Sequence, residues 1–472
     1  MTTSTYKSEL EVSVPVDQLF SWHENPGAFE RLTPPFEPVK VKKRKGGIDG
    51  GEVHLQMNLG PIPLPWVARH HDYIKNEQFL DEQVSGPFAS WNHAHLFEKI
   101  DAKSSKLIDK IDYKLPFGTV GKTFGGAFAE QKIKQMFAYR RNITKNDLVS
   151  QSKYSGSPLN IAVTGGSGLI GSQLKPYLTT AGHSVENIVR GRPQKGELSW
   201  NLENRTISNL SDKDVVVHLA GEPISKPLGG MIPLPWTKWK RNEILKSRVE
   251  GTKLISEHIA SLNNPPKVMI CASAVGYYGD RGEDLLSESE ESGDDYFSHV
   301  VSEWEKAAQP AIDAGIRVVF LRIAPVMSPL GGALQVLGNA ARLGSSPPVA
   351  GGKQWWSWIS LDDVVDVIYH SIINEKLSGP VNVASPNPVR QKEWASTLAK
   401  VIWGRFGPLT GLIPVPGFAL KTVLGEFGDV LALSSIKIDS SKLLDSGYKF
   451  RFENLEDCFR HLLGKRTGEE LQ

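Results

Sequence analysis

From Leu159 onward, short apolar runs rich in β-branched residues alternate with longer stretches whose apolar positions recur at helical spacing. Such alternation is typical of a parallel, doubly wound sheet with helices on its faces. The helical stretches include Leu169–Ala181 and Asn242–Ser261. The predicted strands are Asn160–Thr164, Ser184–Val189, Val215–Ala220, Val268–Ala272 and Val318–Ile323. We therefore expect an α/β fold here.

The chain before residue 145 has a different pattern. Tyr6–Val14 alternates polar and apolar residues, as a half-buried strand does, and Trp91–Phe97 and Lys106–Leu115 are predicted as further strands. Ala127–Arg141 carries its apolar residues on one helical face. An antiparallel sheet closed by a C-terminal helix, an α+β arrangement, is the simplest assembly.

The chain has 472 residues, enough for two or three domains. Asn146–Pro158 is polar and contains Ser-Gly-Ser, and it is predicted to be a linker. Helices are predicted at Gln391–Trp403 and Leu455–Leu463, near the end of the chain. The expected domains are residues 1–147, 158–390 and 391–472.

Composition restricts the classes of function. Hydrophobic residues make up 40% and charged residues 22%, which is ordinary for a globular protein. A net charge of +2 gives no indication of a nucleic-acid partner. Two cysteines favour a reducing compartment over a secreted disulfide framework. No signal peptide or membrane span is recognised, so we expect a cytoplasmic protein.

A glycine-rich turn follows the first strand of the α/β part. Gly165 permits the tight turn, Gly168 lets the backbone approach a pyrophosphate, and Gly171 lets the next helix pack close to the sheet. The helix N-terminus supplies amide groups for the phosphates. This strand–turn–helix context predicts a Rossmann dinucleotide site.

The end of the second strand distinguishes NAD(H) from NADP(H). It carries Arg190 and no acid, and arginine suits a 2′-phosphate. We expect NADP(H), with Ala220 and Gly221 passing close to it, and we expect His218 to be a packed core residue. The predicted cofactor contacts are Thr164, Gly165, Ser167, Gly168, Leu169, Ile170, Gly171, Arg190, Leu219, Ala220, Gly221, Ser273, Arg322 and Pro325.

With these residues, the chain resembles an extended short-chain dehydrogenase/reductase of the epimerase family. It is similar to the proteins known as SulA-type cell-division-inhibitor homologues, including their small C-terminal domain (DUF1731). The stretches that carry the resemblance are TGGSGLIG (164–171), HLAGEPIS (218–225), KSRVEGT (246–252), SAVGYYGDRG (273–282), WEKAA (304–308), GGAL (331–334), QWWSWISLDD (354–363) and LLDSGYKF (443–450).

The N-terminal part resembles the START-like/polyketide-cyclase-like (SRPBCC) superfamily. The similar stretches are WHENPGAFERLTPP (22–35), GPFASWNHAHLF (86–97) and IDYKLPFG (111–118). This resemblance implies a helix-grip fold, a curved sheet around a long helix, and an apolar ligand in its cavity.

Relatives of this kind that are dehydrogenases use a serine and a Tyr-x-x-x-Lys pair for proton transfer. Ser273 matches the serine. When Glu305 is aligned as the helix acid after the lysine, Phe297 and Val301 stand at the tyrosine and lysine positions, and Tyr296 is one residue out of register. The usual relay is missing, as is typical of the resembled subfamily.

Other residues were considered for the missing role. Tyr277 and Tyr278 follow Ser273 closely and are candidates for catalysis, although they could also simply wall the pocket. Tyr277 and Trp358 are candidate substrate contacts; burial of the tryptophan-rich segment against the C-terminal domain is the alternative. Substrate specificity is expected from the loops at 222–239 and 329–358, which carry no recognisable code.

Two histidines share a strand face in the N-terminal part. His93 and His95 are two residues apart, but no acid or cysteine stands at a recognised ligand spacing, so no metal is expected. Cavity-lining or surface-strand positions are the favoured interpretation.

Two functions remain open for the Rossmann part. One is an NADP(H)-dependent oxidoreductase or epimerase-like enzyme acting on a small molecule through an atypical relay. The other is a non-catalytic NADP(H) sensor or scaffold. A homodimer built on Asn242–Ser261 is compatible with either function.

Overall fold

The computed structural model describes residues 3–37, 39–59, 62–224, 234–411 and 417–466. They form two compact units. The first is built mainly on residues up to Gly156, with two short later stretches, and the second mainly on Ser157 to Arg460. Each unit is described by itself.

The first unit contains an antiparallel sheet in which, among the described residues, seven strands follow the order β1-β7-β6-β5-β4-β3-β2. Successive strands from β2 to β7 are neighbours in the sheet, and β1 pairs with β7 at the other edge. The strands are β1 (Ser4–Val12), β2 (Lys40–Lys45), β3 (Glu52–Leu59), β4 (Ile62–Ile74), β5 (Gln78–Ser85), β6 (Ser90–Lys99) and β7 (Ser105–Lys114).

Three helices accompany this sheet within the described residues: α1 (Val16–Glu24), α2 (Ala28–Leu32) and α3 (Gly118–Gln151). Ile133 and Phe137 of α3 are buried in a cluster with Trp91 and Ile111 of the sheet. Alternate residues of β6 are buried, as the two-residue period of a strand requires. An antiparallel sheet with a long C-terminal helix was predicted, and this arrangement is confirmed.

The predicted linker at Asn146–Pro158 is wrong in its first part, because α3 continues to Gln151. Arg31 of α2 donates hydrogen bonds of 2.8 and 2.9 Å to the carboxylate of Asp147, and both side chains are fully buried. The polar composition of Asn146–Pro158 indicates a solvated segment. Its charged residue Asp147 is instead part of a buried ion pair.

The second unit contains a mostly parallel sheet whose described strands number eight, in the order β11-β10-β9-β8-β12-β13-β15-β19. Its β10–β11 pair is antiparallel. These strands are β8 (Asn160–Thr164), β9 (Ser184–Val189), β10 (Glu197–Asn201), β11 (Thr206–Ile207), β12 (Val215–His218), β13 (Val268–Ala274), β15 (Arg317–Ile323) and β19 (Gly379–Val383). The predicted Rossmann-type fold is confirmed.

Helices connect these strands, and short strand pairs lie outside the main sheet. The helices are α4 (Gly171–Thr180), α5 (Lys238–Ala260), α6 (Tyr296–Lys306), α7 (Gln309–Asp313), α8 (Gly332–Arg342), α9 (Leu361–Ile373), α10 (Gln391–Trp403), α11 (Gly417–Leu424), α12 (Glu426–Gly428), α13 (Ser441–Asp445) and α14 (Leu455–Leu462). The short strands are β14 (Leu285–Leu286), β16 (Val326–Met327), β17 (Trp355–Trp356), β18 (Ile359–Ser360), β20 (Val389–Arg390) and β21 (Lys437–Ile438).

The order of the main sheet reverses at β8. The chain passes from β8 to β9 on one side and later returns to place β12 on the other side. In open α/β sheets, ligands bind outside the carboxyl ends of the strands at such a switch point. We therefore expect a ligand site at the carboxyl ends of β8 and β12.

Candidate functional site at the carboxyl edge of the parallel sheet

The turn after β8 is shaped by glycines that no other residue could replace. Gly165 has a φ of +70°, and a Cβ on it would lie 2.8 Å from the carbonyl carbon of Leu219. A Cβ on Gly171 would lie 2.3 Å from the carbonyl oxygen of Gly165. Both contacts are with backbone, so both glycines are required for β8, β12 and α4 to approach one another.

Gly168 stands in a more open position. A Cβ there would meet, within 4 Å and among the described residues, the Gly165 carbonyl oxygen at 3.2 Å. Ser167 and Gly168 are exposed, whereas Leu169 and Ile170 are half-buried. The turn thus presents bare backbone beside the N-terminus of α4. This surface fits the pyrophosphate of a dinucleotide.

Thr164 and His218 form a buried pair where β8 and β12 end. Thr164 Oγ1 lies 2.7 Å from His218 Nδ1 and accepts hydrogen bonds from the amides of Leu219 and Ala220. Burial lowers the pKa of His218 to about 3, with Arg248 acting in the same direction, so the imidazole is neutral. His218 is a core residue, as predicted, and the fully buried Thr164 side chain holds the turn after β12.

Arg190 follows β9 directly and is exposed. The acid within β9, Glu186, forms an ion pair with Lys213 and is set back from the strand end. The side chain of Asn187 lies beneath the glycine turn, where a Cβ on Gly166 would meet its Oδ1. The carboxyl end of β9 is therefore cationic.

The turn after β12 lies against a buried arginine of α5. Arg248 donates hydrogen bonds to the carbonyl oxygens of Glu222 and Ile244, at 2.9 and 3.1 Å. A Cβ on Gly221 would lie 3.3 Å from its guanidinium carbon. Leu219 and Ala220 are half-buried. This arginine, in the KSRVEGT stretch, fixes the path of the backbone next to the switch point.

A hydrogen-bonded network lies at the ends of β13 and β15. Ser273 and Arg322 are paired in register on these adjacent strands. Ser273 Oγ donates a hydrogen bond of 2.6 Å to Glu305 Oε1 on α6. Arg322 Nε and Nη2 donate to Glu305 Oε1 and Oε2 at 2.9 and 2.8 Å. This bidentate ion pair fixes the position of the carboxylate that accepts the hydrogen bond from the serine hydroxyl. Motif analysis used Glu305 only to align the missing relay.

The two tyrosines occupy different places in this network. The ring of Tyr277 is half-buried, and the Arg322 guanidinium lies 3.5 Å from its centroid. Tyr278 is fully buried, donates a 2.7 Å hydrogen bond to Asn382 Oδ1 and accepts one of 3.0 Å from Arg322. Burial raises the pKa of Tyr278 to about 12 against the opposing effect of Arg322. Of the two, Tyr277 has the more accessible side chain.

The positions of the usual relay are filled with apolar side chains. Phe297 and Val301 are buried in a cluster with Ile244 and Val300. The Phe297 ring lies against Gly276, where a Cβ would come within 2.4 Å of it. Tyr296 donates a hydrogen bond of 2.7 Å to the carbonyl oxygen of Arg241 and faces away from Ser273. Within the described residues, α6 contributes Glu305 in place of the usual tyrosine and lysine.

The tryptophan-rich segment is packed into the protein. Trp358 is fully buried and donates a 3.0 Å hydrogen bond to the carbonyl oxygen of Asn387, and its role as a substrate contact stays a prediction. Trp355 donates to Glu283, which is also paired with Arg390. The alternative prediction, burial, describes this segment.

The remaining predicted contacts divide between buried and exposed places. Arg322 is 3% exposed and paired with Glu305, and its contact with a nucleotide stays a prediction. Pro325 is exposed just beyond β15. Of the two loops predicted to set specificity, residues 225–233 lie outside the described residues.

The first unit has a pocket lined by His23, His95, Asp109, Arg140, Arg141, Thr144 and three leucines. Its volume has room for about one water molecule. His93 and His95 are buried, 3% and 8% exposed, so the surface-strand alternative is wrong, whereas His95 lines this pocket.

Two family models match different parts of this chain. Residues 161–384 match the NAD dependent epimerase/dehydratase family, and residues 415–462 match a domain of unknown function, DUF1731. An epimerase family protein from Bacillus subtilis, YfhF, is 33% identical over 65% of this chain and 99% of its own length. The chain belongs to the epimerase family. A chloroplastic SDR39U1 homolog from Arabidopsis thaliana is 31% identical over 68% of this chain and 91% of its own length.

Solved structures extend the family comparison. The human epimerase family protein SDR39U1, crystallised with NADPH, is 27% identical with a TM-score of 0.57 and covers 65% of this chain and 99% of its own. A nucleoside-diphosphate sugar epimerase from Corynebacterium glutamicum is 30% identical with a TM-score of 0.79, covering 98% of this chain and 91% of its own. The latter relative thus shares both units. In the described part of this epimerase family chain, no helix is long and apolar enough to span a membrane.

Proposed function

We propose that this epimerase family protein binds NADP(H) at the glycine turn after β8. Three observations support the proposal: the bare backbone at Ser167 and Gly168, the position of Arg190 at the end of β9, and the NADPH bound by human SDR39U1. Backbone amides of residues 167–170 hold the pyrophosphate, and Arg190 holds the 2′-phosphate.

The nicotinamide end of the cofactor extends toward β13 and β15. In relatives of this fold the dinucleotide crosses the carboxyl edge of the sheet, which here leads from β12 to the ends of those two strands. Leu219, Ala220 and Gly221 border its path. Ser273 and Pro325 border its reactive end.

We further propose oxidoreductase or epimerase-type chemistry on a small molecule, for which the nicotinamide supplies or accepts hydride. The observation that carries this proposal is the Ser273–Glu305 hydrogen bond with Arg322 clamped on the same carboxylate. In the oxidative direction, a substrate hydroxyl bound at Ser273 would pass its proton through the serine hydroxyl to the Glu305 carboxylate as hydride leaves the carbon. In the reductive direction, protonated Glu305 would return that proton to the carbonyl oxygen as hydride arrives. Tyr277 would pack against the substrate and hold the Arg322 guanidinium in place.

Turnover assays test the catalytic proposal. The full chain is incubated with NADPH and a panel of aldehydes, ketones and sugar nucleotides. Ser273→Ala and Glu305→Gln should each lower kcat by at least about 100-fold, since a positioned acid–base group contributes 10²–10⁴. Glu303→Gln on the same helix and Ser261→Ala at the end of α5 serve as matched controls. Variants of Ser273 and Glu305 that turn over like these controls would overturn the relay.

A non-catalytic NADP(H) sensor is the second candidate. It is favoured by the apolar packing of Phe297 and Val301, which leaves no tyrosine and lysine at the relay positions. In this case NADPH binds but no member of the panel is turned over. The nucleotide would instead change association between copies of the chain, for instance through α5. Sedimentation with and without NADPH distinguishes this function from the enzyme.

A further inference from the structure

Two histidines and two aspartates meet in the interior of the first unit. His93 and His95 lie on β6, Asp81 lies opposite His93 on β5, and Asp109 lies opposite His95 on β7. Sequence spacing gave no third ligand for the histidines, because the acids come from the neighbouring strands. This cluster is independent of the dinucleotide site, which belongs to the second unit.

The cluster packs against apolar rings, and His95 and Asp109 also line the small pocket that contains Arg140. The His95 ring stacks on Phe79 at 4.3 Å, and the His93 ring meets Phe137 edge-on at 5.6 Å. Phe79 and Phe137 belong to the two apolar core clusters of this unit. Polar groups in such surroundings are costly unless they are paired or coordinate a metal. The four groups are paired with one another, each histidine lying 2.8–3.3 Å from both aspartates.

We propose that Asp81, His93 and His95 bind a divalent cation of the zinc class through Oδ2, Nδ1 and Nε2. Asp81 Oδ2 lies 3.3 Å from His93 Nδ1 and 3.2 Å from His95 Nε2, and the three ligand atoms lie within 4.8 Å of one another. Tetrahedral zinc with ligands at 2.0–2.1 Å has about 3.3 Å between neighbouring ligand atoms. The observed spacing thus leaves room for the ion with small adjustments.

Asp109 occupies the position of an orienting carboxylate. Its Oδ1 lies 3.0 Å from His93 Nε2 and 2.8 Å from His95 Nδ1, the two ring nitrogens that face away from Asp81. His95 Nδ1 nevertheless has no hydrogen bond of good geometry among the described residues. Metal-bound histidines usually donate their second N–H to a carboxylate, which fixes the ring and raises its basicity.

Charge balance is compatible with a cation. The His93 and His95 rings are 3.8 Å apart, so two imidazolium rings there would repel each other, and the Arg140 guanidinium is a positive group that interacts with both carboxylates. A divalent cation satisfies both carboxylates while both rings stay neutral. Three protein ligands leave a fourth position open, as in catalytic zinc sites.

Metal titration of the full chain tests this site. Tag-free protein is dialysed against a chelator and then equilibrated with ZnCl₂ or CoCl₂, and bound metal is counted per chain. We expect one ion per chain and a tetrahedral cobalt spectrum. Asp81→Asn and His95→Gln should lose the ion at concentrations that saturate the natural chain. Asp109→Asn should retain one ion per chain with affinity about 10- to 100-fold lower.

The matched control is His71→Gln. His71 lies on β4, contacts Asp72 and stands outside the cluster. This variant should bind metal like the natural chain. Equal loss of metal in His71→Gln and His95→Gln would overturn the proposal.

A measurement on the natural chain avoids dependence on how the variants fold. X-ray absorption at the zinc edge should show two imidazole nitrogens, oxygen ligands and no sulfur. Failure of the natural chain to retain metal, or sulfur scattering from a cysteine, would show that the cluster is only a buried network of charges.

Discussion

In the proposed function, Glu305 takes the place of the missing tyrosine–lysine pair. Its carboxylate accepts from Ser273 and, through two hydrogen bonds, from Arg322. Arg322 in turn contacts both tyrosines, so five side chains share one fixed geometry. Ser273 and Arg322 lie at the ends of adjacent parallel strands, and this placement in the sequence indicates that they are close to each other. The contribution of Glu305 from α6 depends on helix docking, which spacing alone does not give.

Substitutions can distinguish the packing role of Gly171 from the proposed ligand-binding role of Gly168. Gly171→Ala should prevent proper packing of α4, because its Cβ meets two backbone atoms of residues 165 and 166 at 2.3 and 2.7 Å. Gly168→Ala should keep the fold but weaken NADPH binding at least about tenfold, because its methyl group points into the space for the pyrophosphate. Thermal unfolding and fluorescence titration measure the two effects. A Gly168→Ala chain that binds NADPH normally would remove the pyrophosphate from this turn.

At the scale of elements, α3 is longer than its apolar pattern indicated. The apolar face of Ala127–Arg141 marks only the part that packs on the sheet, whereas the helix spans Gly118–Gln151. Its last turns hold Asp147 against Arg31 of α2. A buried ion pair of this kind looks, in sequence, like a solvated linker.

The Arg31–Asp147 pair should therefore contribute strongly to the stability of the first unit. Asp147→Ala should lower the free energy of unfolding by about 3–5 kcal/mol, because it leaves the arginine charge buried without this carboxylate. Denaturant unfolding followed by circular dichroism measures the change. The double variant Arg31→Met/Asp147→Leu should recover much of the loss; a single variant within about 1 kcal/mol of the natural chain contradicts this account.

At the scale of the whole molecule, periodicity predicted both sheets and their types. The parallel strands from β8 to β15 and the antiparallel strands β1, β6 and β7 occur close to where the pattern placed them. Roles of single side chains were harder to predict. Thr164, Tyr278 and Trp358 have suitable positions in sequence but are turned into the core. Side-chain direction depends on packing partners that are distant in sequence.

Stability should depend on pH through buried neutral histidines. Burial lowers the pKa of His218 from 6.5 to about 3, so between these values the unfolded chain binds a proton that the native chain does not. Stability from this group is present above pH 6.5 and is lost as pH falls toward 3, at up to about 1.4 kcal/mol per pH unit. His23 and His183, whose pKa values are about 4, act in the same direction.

Substitution isolates the contribution of His218. His218→Asn keeps an acceptor for Thr164 but removes the titrating ring, so its unfolding free energy should fall less steeply between pH 6.5 and 4. The exposed His299, changed to Asn, is the control and should follow the natural chain. Urea unfolding at several pH values measures both slopes. Identical slopes in all three chains would show that His218 is not the neutral core residue described above.

Nucleotide titration of the full chain tests the central claim, NADP(H) binding at the switch point of the parallel sheet, most directly. NADPH and NADH are titrated into the natural chain, Arg190→Ala and, as a control at the opposite edge of the sheet, Lys267→Ala. We predict at least tenfold tighter binding of NADPH than NADH, since a charge-assisted pair is worth about 1.5–3 kcal/mol. Arg190→Ala should lose this preference and Lys267→Ala should keep it. Equal affinities for the two nucleotides in the natural chain, or an unchanged preference in Arg190→Ala, would contradict the account.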